Sequence, residues 1–308
     1  MAPIITIRKN LFFIQRGWLN ANHFVFDGET KALIDSGYKT DLATTRKRIE
    51  DTGFNIADTQ LIISTHSHCD HIGGNHTIQE QTGCRILMHP IEKYFMDHQN
   101  DWFTWWRYYD QEADFYAVTD TLEDEAQIRL DDLKLEVIHT PGHASGGIAL
   151  YAPEERFLIS GDALWDGDIG TLTPRIEGSN CLFLALQSLD RLAPLDIEQV
   201  FPGHGPLFTD AKSAIERARA RLKTFLKEPA LMGLDQIKKI IVFTLMMKKG
   251  FSQKSFFDYL MQTPWYCETI DLFFGGRHRT IYDSVMADFL EKKIVSIHND
   301  RYMTSVRP

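Results

Sequence analysis

Cysteine is scarce in this chain. Cys69, Cys84, Cys181 and Cys267 are scattered over 308 positions without a paired spacing, which argues against a disulfide framework and fits a reducing compartment. Long apolar runs are missing as well, so no segment approaches a membrane span. The opening segment, Met1–Lys9, lacks the charged start, apolar core and small-residue cleavage site of a signal peptide. A cytoplasmic location with no membrane attachment is the expectation. Neither an internal repeat nor a low-complexity tract occurs, which excludes solenoids and arrays. What is left is an ordinary globular composition, 44% apolar and 24% charged. At this length a main body with a smaller appendage is expected.

Charge is unevenly spread. Residues 211–308 hold 17 Lys and Arg against 10 Asp and Glu, a net of +7, so residues 1–210 carry −16 of the overall −9. Pooled positive charge attracts anions such as phosphates. The alternative is that two regions of opposite sign complement each other.

Short apolar runs separated by turn residues open the chain, at Ile4–Arg8, Leu11–Ile14, His23–Asp27 and Ala32–Asp35, and read as an antiparallel meander. A helix is expected at about Asp41–Thr52, then a buried strand at Leu61–Ser64, a further helix, a strand at Arg85–His89, and a long aromatic helix over Pro90–Asp110. The style then repeats. Strands are expected near Ala126–Leu130, Leu133–His139, Gly147–Tyr151 and Phe157–Ser160, a helix at Cys181–Leu192 and a strand at Gln199–Phe201. Strand runs followed by helices, twice over, predict an α/β fold with two sheets face to face and helices outside, a four-layer αββα sandwich over residues 1–210. From residue 211 to 308 the pattern is mainly helical, with amphipathic stretches at Phe251–Gln262 and Arg279–Lys292. A helix followed by Ile294–His298 and Arg301–Thr304 is similar to a winged-helix module.

The chemistry sits where strands end. His66, His68, Asp70 and His71 fall within six residues directly after a buried strand and just before Gly73 and Gly74. Imidazole and carboxylate are zinc-type ligands, and a loop anchored by the core is where a scaffold presents functional groups. Three later segments share this grammar of strand, turn and ligand: Thr140–His143, Ser160–Asp162 and Phe201–Gly205. Each alone also reads as a structural turn; in this order after the first motif they point to a metal centre.

Together these segments, T-H-S-H-C-D-H-I-G-G, T-P-G-H, S-G-D and P-G-H-G, resemble the metallo-β-lactamase superfamily and, within it, the glyoxalase II-like branch. The resemblance covers about the first two-thirds of the chain and implies a dinuclear site. His66, His68 and His143 would hold one metal, Asp70, His71 and His204 the second, and Asp162 would bridge them. Two divalent ions are implied, zinc by default, with iron or manganese as alternatives. True β-lactamases of the commonest class place cysteine where Asp162 stands, and the best known have Arg at the position of His71, which argues against antibiotic hydrolysis. Asp35 resembles an acidic residue that orients a ligating histidine from behind; closing a turn is its other reading. His139, four residues before His143, is a rival ligand that lies on the strand rather than after the turn. Cys69 occupies a variable position of the motif and reads as a bystander.

This resemblance implies a hydrolase in which a hydroxide bridging two metals attacks an acyl thioester or ester, with Asp70 orienting the nucleophile. A lactonase with the same site, a phosphodiesterase or ribonuclease, and a non-catalytic metal-bearing protein that binds a signal or partner stay open. The basic pattern by which glyoxalase II grips glutathione has no match in residues 211–308, which points to another thioester, one carrying phosphates. The aromatic density that includes Trp102, Trp105, Trp106 and Tyr109 reads as a pocket wall over the metals, or as a seam against the C-terminal region or another subunit. A small-molecule substrate is therefore expected; nucleic acid is disfavoured, and a homodimer stays open.

Overall fold

The computed structural model describes residues 3–307. A seven-stranded sheet runs in sequence order: β1 (Ile4–Arg8), β2 (Leu11–Ile14), β3 (His23–Asp27), β4 (Lys31–Ile34), β5 (Leu61–Ile63), β6 (Arg85–Met88) and β7 (Asp120–Thr121). The first four strands pair antiparallel; β4 to β7 pair parallel. A five-stranded sheet is built from β8 (Gln127–Leu130), β9 (Leu133–His139), β10 (Ile148–Ala152), β11 (Phe157–Gly161) and β12 (Gln199–Pro202), in the order β12-β11-β10-β9-β8.

Alternation along the strands assembles the layers. In β3, Phe24 and Phe26 enter the core between the sheets, while Val25 faces the outer layer with Ile49, Ile72 and Ile78 of the helices. In β11, Phe157 and Ile159 face inward, whereas Leu158 meets Leu189 and Leu192 of the helix Cys181–Leu192 and Ile215 of the helix Ala211–Lys227. The result is a four-layer αββα sandwich. Phe201, with its ring centroid 5.3 Å from that of Phe13 and 5.8 Å from that of Phe157, ties the two sheets together.

The C-terminal region is mainly helical, with the helices Ala211–Lys227, Pro229–Met247, Pro264–Phe274 and His278–Glu291. Three short strands, β13 (Phe251–Ser252), β14 (Val295–His298) and β15 (Arg301–Thr304), form a sheet in the order β13-β15-β14. Packing crosses position 210: Ala214, Ile215 and Leu222 complete the outer layer of the second sheet, and Trp105, Tyr108 and Tyr109 share a core with Ile237, Trp265, Tyr266 and Phe289. The basic tail also meets the acidic body through Arg217–Asp166, Arg219–Asp190, Lys239–Asp168 and Lys248–Asp110. Part of the charge asymmetry is thus mutual complement. Among the described residues no helix is long and apolar enough to cross a membrane.

Two expected helices differ. The helix over Pro90–Asp110 stops at Asp97 and resumes only for Trp106–Tyr109. Gln99 and Trp105 have φ of 49° and 72°, a left-handed conformation that a helix cannot carry. The breaks let the aromatics face different neighbours. Within Phe251–Gln262 only Phe256–Leu260 is helical, because Lys249 and Gly250, with φ of 51° and 84°, turn the chain so that Phe251 pairs with Tyr302 as a strand.

Candidate metal centre

Four strand ends converge. Beyond β5 come His66 and His68, then the short helix Cys69–Ile72, which carries Asp70 and His71; His143 follows β9, Asp162 follows β11 and His204 follows β12. All seven residues predicted from sequence meet in one cluster. His66, His68 and His143 each offer a ligand atom, all within 4.8 Å of one another, and so do Asp70, His71 and His204; a third such group, His66, His71 and Asp162, joins the two. The carboxylate of Asp162 spans both halves, with Oδ2 3.3 Å from His143 Nε2 and Oδ1 3.4 Å from His71 Nε2. Asp70 Oδ2 lies 3.0 Å from His204 Nε2.

The donor set fits divalent cations. His66 Nε2 is buried without a hydrogen-bond partner, which would be costly unless an ion took its lone pair. His68 Nδ1 and His143 Nε2 converge at 2.9 Å. Protonation follows local charge. Burial and the neighbouring imidazoles of His71 and His68 hold His66 well below the usual histidine range, and burial with His143 and His71 does the same for His68. These two are neutral donors. Burial opposes charge on His71 too, yet Asp162, Asp35 and Asp70 outweigh it and hold its pKa well above the ordinary value. Burial likewise pushes Asp162 up, but His71, His204 and His143 prevail and keep it ionised. The second half therefore presents a negative potential that a cation would neutralise.

Outer partners fix the candidate ligands. Asp35 Oδ2 lies 2.8 Å from His71 Nδ1 and accepts from Thr65 Oγ1 at 2.8 Å, while its Oδ1 accepts from Thr65 N at 2.8 Å. This leaves His71 Nε2 facing the cluster, and it places Asp35 where the orienting role requires. His143 Nδ1 lies 2.7 Å from the Thr171 carbonyl. His139 stands apart, bonded through Nε2 to the Ser145 carbonyl at 2.9 Å and stacked on His89. Cys69 is fully buried, and burial beside Asp70 pushes its thiol well up.

Several supports were not foreseen from the sequence. Glu92, buried in the helix Pro90–Asp97, accepts from Ser67 N and Ser67 Oγ and, at 2.8 Å, from Gly146 N, joining the loops of His66–His68 and His143. A Cβ at Gly146 would lie 2.6 Å from Glu92, so glycine is needed there. Glu177 accepts from Trp105 Nε1 and Ser145 Oγ, both at 2.6 Å. Asn22 Nδ2 donates to the Pro202 and Gly205 carbonyls at 2.8 Å each, clamping the loop of His204. A Cβ at Gly203 would lie 2.1 Å from Asp162 Oδ1. The helical spacing and turn patterns of these residues carry no sign that distant loops depend on them.

A cleft opens over the cluster, walled by Trp18, Trp105, Trp165, Ile240 and Phe243, with Gln111, Thr171 and Lys239 as polar lining. Of the four aromatics expected there only Trp105 lines it, its ring centroid 3.7 Å from that of His68. Trp106 is buried in the outer layer of the first sheet and donates to the Ser67 carbonyl at 3.0 Å. Tyr109 lies in the C-terminal core, bonded to Thr173 and Gln236, and Trp102 packs on Tyr108 at the edge of that core. Trp18 and Trp165, far apart in sequence, flank His204 instead.

The family model described as the metallo-beta-lactamase superfamily matches residues 16–204. The chain belongs to this superfamily. Relatives include a beta-lactamase-like protein 2 homolog of Caenorhabditis elegans, 29% identical over 69% of this chain and 68% of its own length. The human acyl-coenzyme A thioesterase MBLAC2 is 25% identical over 65% of this chain and 79% of its own length. A hydroxyacylglutathione hydrolase of Brucella ovis is 28% identical over 55% and 58%. An uncharacterized protein of Aquifex aeolicus, 30% identical over 115 residues, is matched over 51% of its length, so the chain spans about half of that relative. Among solved structures, a metallo-beta-lactamase family protein from Thermus thermophilus aligns over 97% of this chain and all of its own, at TM-score 0.64 and 20% identity. That match includes the C-terminal region. A metallo-beta-lactamase from Legionella gormanii aligns over 73% of this chain and 95% of its own, at TM-score 0.61 and 18% identity.

Proposed function

We propose that this metallo-β-lactamase-fold chain hydrolyses an acyl thioester or a related ester. The observation that carries the reading is the cleft itself: three tryptophans, Ile240 and Phe243 wall a His/Asp cluster that includes His68, Asp70, His143, Asp162 and His204. An apolar wall suits an acyl chain, and a few convergent polar groups suit its reacting carbonyl. Two relatives, named for acyl-coenzyme A and hydroxyacylglutathione, point to the same bond.

His66, His68 and His143 would hold one divalent cation, Asp70, His71 and His204 a second, and Asp162 would serve both. Such ions, zinc by default, supply an activated water near neutral pH and an electrophile for the carbonyl oxygen. Asp70 orients the attacking water; at 13% side-chain exposure it is less enclosed than His71 or Asp162, so it can also pass a proton towards the departing thiolate. Trp105 covers His68 and keeps bulk water from that side. Lys239 supplies no free charge, since its ammonium donates to the Ile169 carbonyl at 2.6 Å and pairs with Asp168 and Asp235.

The test is hydrolysis of acyl-coenzyme A and acyl-glutathione thioesters, lactones and a phosphodiester, each with and without chelator. Chelator-sensitive cleavage of thioesters ahead of the other classes is the expected result. Cleavage of the phosphodiester alone would overturn the reading.

A further inference from the structure

The segment between β11 and the helix Pro174–Glu177 touches the candidate ligands without regular structure of its own. Residues 163–173 form neither helix nor strand, which leaves their backbone groups to find partners outside a ladder. Three contacts tie the segment to the cluster. Trp165 Nε1 donates to Asp162 Oδ1 at 3.3 Å. The Thr171 carbonyl lies 2.7 Å from His143 Nδ1; a carbonyl only accepts, so the His143 proton sits on Nδ1 and the Nε2 lone pair is left for an ion. Gly170 lies so close to the same ring that a Cβ there would be 2.7 Å from Nδ1.

The polar grip on this segment comes from the C-terminal region. Lys239, in the helix Pro229–Met247, donates to the Ile169 carbonyl at 2.6 Å and reaches Asp168 Oδ1 at 3.1 Å and Asp235 Oδ2 at 3.0 Å. An ammonium has three donors, and all three are taken. Asp168 Oδ1 also accepts from Ile169 N at 2.8 Å. Arg221, in the helix Ala211–Lys227, closes the network at 2.6 Å from Asp235 and 3.3 Å from Asp168. Lys239 lines the cleft, yet it directs its ammonium to a carbonyl two residues before Thr171. Ile169 and Leu172 also pack into the outer core, so the alternative is that apolar contact alone holds the segment. We propose that Lys239 is a positioning residue for the half formed by His66, His68 and His143. By gripping the Ile169 carbonyl it keeps the Thr171 carbonyl on His143, which makes the C-terminal region a working part of the metal centre. The proposal rests on the metal-binding reading above and is independent of the substrate.

The sign of one measurement separates positioning from charge. Deleting a cation near a metal site tightens zinc by electrostatics alone, whereas losing an orienting contact weakens it. Lys239→Met, unbranched and close in size, is compared with its parent in two backgrounds: His204→Ala, which keeps the half of His143, and His68→Ala, which keeps the other. Zinc affinity is read by competition with a chromogenic chelator. Binding should weaken about tenfold in the first background, the low end for loss of an outer support, and should not weaken in the second. Unchanged or tighter binding in the first background overturns the inference, and so does equal weakening in both, which is what a general loss of packing gives. Lys239→Gln, polar but shorter, serves if the Met variant does not fold. Should His204→Ala bind no zinc, the metal reading is the one that fails, and the contact is still read by NMR from the His143 Nδ1 proton. Faster exchange of that proton with solvent in Lys239→Met is the expected result; unchanged exchange overturns the inference.

Discussion

The two halves of the cluster are built from opposite electrostatics. His66, His68 and His143 are imidazoles only, and burial holds His66 and His68 neutral; their supports are Glu92 across the loops, the Thr171 carbonyl on His143, and Trp105 over His68. Asp70, His71 and His204 include a carboxylate and are backed by another, Asp35, with Asn22 and Trp18 holding the His204 side. The first half depends on lone pairs kept free by burial, the second on accumulated negative charge. Asp162 lies between them, with Oδ2 3.3 Å from His143 Nε2 and Oδ1 3.4 Å from His71 Nε2. Damage to a support should therefore stay in its own half, whereas damage to Asp162 should reach both.

The largest effect is expected from Asp70→Asn, which keeps the shape and removes the charge proposed to orient water. Activity should fall by about 10²-fold or more, as for loss of a general base, with an unchanged melting temperature; steady-state kinetics beside a thermal melt checks this. Ligand removal sharpens the contrast next. His68→Ala and His204→Ala should each lose about one metal equivalent and keep the other, whereas Asp162→Ala should weaken both, as read by elemental analysis after gel filtration. Support removal is smaller. Glu92→Gln should weaken metal in the first half, and Asp35→Asn in the second, by about 10–100-fold each; competition with a chromogenic chelator measures it, and loss from both halves together would break the division.

The smallest effect concerns pH and Glu177. Burial, reinforced by Glu92, raises its pKa to about 8 against the partly offsetting bonds from Ser145 and Trp105. The folded chain thus holds a proton that the unfolded chain releases near the ordinary carboxyl value, so stability falls as pH rises towards 8. Glu177→Gln should be more stable than wild type at pH 8.5, by a melting shift on the order of 3 °C, and show little gain at pH 5. Parallel melting curves at the two pH values check it, and a gain at pH 5 as large as at pH 8.5 would remove titration as the cause.

The sandwich was legible because alternation and strand-end motifs are local signals. The strands Ile4–Arg8, Leu11–Ile14 and His23–Asp27 and the helix Cys181–Leu192 fall where the apolar pattern puts them, and the seven candidate ligands announce themselves by residue type and turn context. The cleft wall was not legible. Trp105 and Trp106 are adjacent in sequence, yet a left-handed turn at Trp105 sends one to the cluster and the other into the core, and no periodicity encodes that choice. Glu92, Glu177 and Asn22 bond to loops far away in the chain, and such partners appear only once the sheets bring those loops together.

The most direct test of the two-half account is the metal content of the purified chain, measured by elemental analysis before and after chelator treatment and again after zinc is restored. About two equivalents per chain, with hydrolysis lost on stripping and recovered as the second equivalent returns, is the predicted result. A chain that saturates at one equivalent, or that hydrolyses substrate fully at one, would contradict it.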